Sequence, residues 1–113
     1  MKFKFLGQPI MSLTANQRLC KQPAETRFFE MDFTSVLGTE ESISSITSIV
    51  SEKVGGYPTD LDITSSGITS DSKKVTMYIA SGTLGSTYRV EVLVATDASQ
   101  IVEGDGILYV TDQ

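Results

Sequence analysis

The chain of 113 residues has no histidine, no tryptophan, a single cysteine and three prolines. Without histidine, the usual general base near neutral pH is missing, and with it every histidine-dependent relay. Cys20 alone excludes an internal disulfide and a cysteine-cluster metal site, and no acid–base partner adjoins it in the sequence to make it a nucleophile. The glycines at 55–56 and 82–85 lack the lysine of a phosphate-binding loop and read as turns. No run of about 18 apolar residues occurs, so no helix is expected to span a membrane. The opening MKFKFLGQPIMSL is broken by Gly7, Gln8 and Pro9, and no signal peptide is expected.

Carboxylates are the only plentiful reactive groups. Asp60 with Asp62, and Glu103 with Asp105, are spaced i, i+2 and would point the same way along a strand, as calcium ligands or an acid–base couple do. Neither pair has the spacing of a calcium-binding loop, so the expectation is no catalytic residue, no cofactor and no metal.

What the chain does have is serine and threonine, 27 residues together. With 40% apolar and 20% charged residues, this composition is that of one globular domain rich in strands and turns. Phe29, Met31 and Phe33 alternate with Phe28, Glu30 and Asp32, Val75, Met77 and Ile79 share one face, and Tyr88, Val90, Val92 and Val94 alternate with Arg89, Glu91 and Leu93. Each set has the period of a strand with one buried face. Leu61 and Ile63 alternate in the same way. ILYV (107–110) is separated from Ile101 and Val102 by EGDG, either a hairpin turn or a bulge within one long strand.

The stretch ESISSITSIVSEKVGG (41–56) reads two ways. Ile43, Ile46, Val50 and Val54 have helical spacing, yet every residue from Ser42 to Ser51 is Ser, Thr, Ile or Val, which favour strands. We expect a strand. Six or seven short strands separated by polar turns then suit a two-sheet sandwich.

The net charge of -5 conceals an asymmetry. Residues 1–24 hold Lys2, Lys4, Arg18 and Lys21 and no acid, giving +4, and the remaining five cations against 14 acids give -9. An acidic body repels phosphate, so nucleic acid is not an expected partner. Residues 1–24 lack sustained periodicity and read as an extended arm with one short strand near Lys2 to Leu6, ahead of a sandwich domain at 25–113. A basic, apolar arm suits docking on acidic protein surfaces, including other copies of the chain. Phe3, Phe5, Leu6, Ile10 and Met11 are its expected contact residues.

In TLGSTYRVEVLVAT, Leu84 lies four residues before Tyr88, which opens an alternating strand. The spacing resembles the tyrosine corner of immunoglobulin-like and fibronectin type III-like sandwiches, where the ring packs at a sheet corner and the hydroxyl bonds nearby backbone. Leu84 and Tyr88 are thus expected to form a structural corner. More widely, RFFEMDFTSVLG, ESISSITS, the 61–82 stretch, GTLGSTYRVEVLVAT and GDGILYVTD together resemble a family of small structural proteins of tailed bacteriophages. The family often carries a tryptophan in its second strand; here Ile46 or Ile49 would fill that place. The resemblance covers about residues 26–112.

It implies an immunoglobulin-like sandwich on the virion, made in the host cytoplasm, present in many copies and not an enzyme. Its expected role is capsid decoration or cement on the major capsid protein, docked through the arm; the alternative is a tail or fibre adaptor or head–tail connector. A third possibility is a carbohydrate-binding module, for which Tyr57 and Tyr78 are the candidate aromatics.

Overall fold

The computed structural model describes residues 19–55 and 58–111, together with the backbone course of 2–5. The strands, in chain order, are β1 Lys2–Phe5, β2 Leu19–Lys21, β3 Arg27–Asp32, β4 Ile43–Lys53, β5 Leu61–Ile68, β6 Lys74–Ser81, β7 Thr87–Thr96 and β8 Ile101–Val110, with a 3-10 turn at Thr34–Val36. They form two four-stranded sheets, β1-β3-β6-β5 and β2-β8-β7-β4. Every pairing is antiparallel except β2 with β8, which is parallel. Taking β1, β3, β6 and β5 as strands A, B, E and D, and β4, β7 and β8 as C, F and G, the order is that of an immunoglobulin sandwich, ABED against CFG. The fold is an all-β, immunoglobulin-like sandwich.

Period-two alternation explains which side chains meet in the middle. Phe29 and Met31 of β3, then Phe33, and Val75, Met77 and Ile79 of β6 face Tyr88, Val90, Val92 and Val94 of β7 and Leu108 and Val110 of β8. All of these are fully buried. Ile46 and Ile49 are partly buried against this cluster.

The ambiguous stretch is strand β4, and its helix-like spacing has a local cause. The pairing with β7 shifts twice, between Ile43 and Ser45 and between Ile46 and Ser48. Each shift inserts one residue into the alternation, as a bulge does. Ile43, Ile46 and Ile49, three apart, therefore all stand opposite inward positions of β7, namely Thr96, Val94 and Val92. Val50 and Val54, which completed the helical pattern, are exposed.

EGDG is neither a turn nor a bulge. The register of β7 with β8 runs unbroken from Ala95 opposite Ile101 to Thr87 opposite Tyr109. Gly104 and Gly106 occupy inward, buried positions opposite Val92 and Val90. An inward glycine lets another backbone come close, and β1 is in contact with β8. At this edge of the sandwich β1 also meets β2, while β4 and β5 meet at the other.

Candidate functional site

The N-terminal residues supply the outer strand of each sheet at one edge of the sandwich. β1 pairs with β3 in a register that sets Lys2 opposite Asp32, Phe3 opposite Met31, Lys4 opposite Glu30 and Phe5 opposite Phe29. Basic and acidic positions thus alternate with apolar ones on both strands. On the far side of β3, Lys74 of β6 stands opposite Asp32. Asp32 also accepts the Thr34 amide at 2.9 Å. Of the expected contact residues, Leu6, Ile10 and Met11 lie outside the described residues, as do the side chains of Phe3 and Phe5.

Lys21, counted above among the docking charges of the arm, is fully buried. Its Nζ donates to the carbonyls of Gln22 at 2.7 Å and Pro23 at 3.3 Å, and to that of Ser81 at the end of β6. Its charge is therefore not on the surface: β2 alternates, and with Leu19 inward Lys21 must be inward too. Burial lowers its pKa, with Glu25 acting in the opposite sense. The ammonium stays in the protein because three carbonyls surround it, as a buried charge requires, and the contact with Ser81 joins the two sheets. Nearby, Glu25 accepts the Gln22 amide at 2.8 Å and pairs with Arg27 at 2.5 Å.

The corner around Tyr88 lies at the same end of the molecule. The tyrosine is fully buried, and its hydroxyl accepts the Thr83 amide at 2.9 Å while donating to Asp60. The Thr83 hydroxyl donates to the other Asp60 oxygen at 2.5 Å. These donors, Thr83 first and Tyr88 second, hold the Asp60 carboxyl below its ordinary range. Asp60 is thereby a structural acceptor, committed to Thr83 and Tyr88. The turn tightens at Gly82, with φ of +98°, where a Cβ would lie 2.9 Å from a Val110 methyl and 3.1 Å from a Leu61 methyl. Only glycine fits there. Leu84, expected at the corner with Tyr88, is instead 53% exposed on the outside of the turn.

On the outer face of the β7–β8 pair, Glu91, Glu103 and Asp105 bring carboxylate oxygens within 4.8 Å of one another. Among the described residues this is the one acidic group close enough to share a cation. Arg89 pairs with Glu91 at 3.1 Å and with Glu52 at 2.8 Å. The Glu103 pKa is raised, chiefly by the charge of Asp105. Sequence reasoning noted Glu103 and Asp105 but not Glu91, which only the cross-strand register adds. Of the candidate aromatics, Tyr78 is exposed on the outer face of the other sheet with its ring 4.8 Å from that of Phe28, and Tyr57 lies outside the described residues.

Among the described residues no nucleophile is assembled with a base. What the geometry supplies is a two-sheet body whose N-terminal strands β1 and β2 close one edge. No curated protein and no solved structure matches the chain. The family model described as "Podophage GP4 fiber-tail adaptor protein gp77" matches residues 21–109, from the last residue of β2 to the penultimate residue of β8. The chain belongs to this podophage GP4 fiber-tail adaptor gp77 family and is a structural protein of the bacteriophage virion.

Proposed function

We propose that the protein is a non-enzymatic adaptor that joins a fibre to the podophage tail. The family match over residues 21–109 carries this reading. It favours the tail and fibre role over capsid cement, the first expectation from the sequence, and it makes tail and fibre proteins the partners in place of the major capsid protein. An adaptor transmits force between two bodies, which calls for a stiff module; the sandwich, with its sheets joined by Lys21–Ser81 and Tyr88–Asp60, is suited to this.

The family match begins at residue 21, so the preceding residues are where this chain would differ from its relatives in what it grips. We assign partner contact to Leu6, Ile10 and Met11, which follow β1 in the sequence; Phe3 and Phe5 stand opposite the inward-facing Met31 and Phe29, so they are not assigned to it. The glycan-binding alternative has less support, because the ring of exposed Tyr78 lies against Phe28, as a cross-strand pair that stabilises a sheet does.

Deleting residues 1–24 would remove buried Leu19 and Lys21 and confound binding with folding. Substituting Leu6, Ile10 and Met11 together by serine avoids this. Added to tails lacking the protein, the folded variant should join them at least about tenfold more weakly, the loss of roughly one interfacial hot spot. Undiminished incorporation, with an unchanged melting curve, would remove these residues from the contact.

A further inference from the structure

We infer that the β3 edge is a strand-exchange site, able to take the Lys2–Phe5 strand of a second copy of this chain in place of its own. The inference does not depend on which virion component the adaptor grips.

Two observations carry it. The first is the complementarity of the register: read antiparallel, Lys-Phe-Lys-Phe meets Asp-Met-Glu-Phe, so both cations stand opposite acids and both phenylalanines opposite buried apolar residues. Opposite charges at facing positions favour pairing and like charges oppose it, so this edge selects a basic–apolar strand in one orientation and one register. That information resides in the two strands and is the same whether one chain or two supplies them.

The second is the length of chain between β1 and β2. The two strands meet at the same edge of the sandwich, a gap that a few residues would bridge. Residues 6–18 provide thirteen. Fully extended, these reach about 45 Å, compared with 41 Å for the long axis of the molecule. A strand on such a tether can reach the β3 edge of a neighbouring copy. In dilute solution a tether of this length gives its own strand an effective concentration in the millimolar range, so the closed monomer prevails. Copies held side by side in an assembly reach similar local concentrations, and exchange then competes. A closed exchange of identical elements produces a symmetric pair; an open one links copies around a ring.

Two full-length chains test this, both carrying Cys20→Ser, one with Lys4→Cys and the other with Glu30→Cys. Facing positions of an antiparallel pair are close enough for a disulfide. Within each chain the partner cysteine is missing, so a covalent link forms only when one chain's β1 lies on the other's β3. Mixed under mild oxidation, the pair should yield at least about fivefold more covalent heterodimer than a control mixture of Lys4→Cys with Thr64→Cys, whose cysteine lies on an exposed position of β5. Adding Lys2→Glu to the first chain should lower the yield. A yield equal to the control overturns the inference, as does a yield indifferent to the charge at position 2. Should Glu30→Cys unfold its chain, the pair Lys2→Cys and Asp32→Cys makes the same measurement one register step away, with Lys4→Glu then serving as the charge test.

Discussion

The hydroxyl of Tyr88, at the start of β7, donates to the carboxylate of Asp60, just before β5, and so ties one sheet of the sandwich to the other. The same oxygen accepts the Thr83 amide, so a single buried atom serves two hydrogen bonds. Tyr88→Phe removes that atom and nothing else. Thr83 and Asp60 are exposed and can turn to water, so the expected cost is about 0.5–1.5 kcal/mol, the net worth of a hydrogen bond. Thermal unfolding followed by circular dichroism should show a fall of several degrees in Tm; an unchanged Tm would mean that the bond is not formed in solution.

Stability should also depend on pH through Asp60. A carboxyl whose folded pKa lies below its unfolded value contributes stability that is fully present above the unfolded pKa and disappears as the pH falls through the folded one. Hydrogen bonds from Thr83 and Tyr88 lower Asp60 in this way. Donors led by the Gln22 amide lower Glu25, those led by the Gly38 amide lower Glu41, and those led by Lys74 lower Asp71. The Tm should therefore hold from neutrality to about pH 4, the ordinary carboxylate range, and then decline. Asp60→Asn should lower the Tm at pH 7, and its gap from the wild type should close as the pH is taken further down.

Glu103 shows the opposite sign. Repulsion from Asp105 raises its folded pKa, so its ionised form opposes folding above that pKa and the opposition fades as the pH falls. Glu103→Gln should raise the Tm at pH 7 and leave it unchanged at pH 3, where both forms are neutral. A variant that melts at the same temperature as the wild type at pH 7 would show that the three carboxylates do not repel one another in solution.

Lys21→Ala should be among the more damaging substitutions. It leaves a space where a buried side chain stood and deprives the carbonyls of Gln22, Pro23 and Ser81 of their donor, for an expected loss of about 2–4 kcal/mol. Lys21→Met, which keeps most of the volume, should recover part of it. Urea unfolding of both variants measures the difference; a lysine that instead faced a partner would tolerate either change within about 0.5 kcal/mol.

Strict alternation made β3, β6 and β7 legible in the sequence, because each has one face in the core and the extra residues in their pairings fall on the partner strands β4 and β5. β4 was ambiguous for a physical reason: two bulges convert a period of two into a spacing of three between Ile43, Ile46 and Ile49. EGDG resembled a turn because its glycines carry no side chain to reveal the inward face they occupy. The corner tyrosine was legible, but its partner Asp60 was not, since the two are brought together from 28 residues apart. Least legible was Lys21, because charge alone assigns a lysine to the surface and its three carbonyls converge only in the folded chain. Likewise, KFKF declares its own alternation, but that Asp32 and Glu30 are its complement emerges only from the register with β3.

The most direct test of the adaptor role is the position of this sandwich in an assembled particle imaged by cryo-electron microscopy. Its density should fit where the fibre meets the tail, in contact with both and repeating with their symmetry. Finding it on the head lattice, bound to the major capsid protein and away from the tail, would contradict the account.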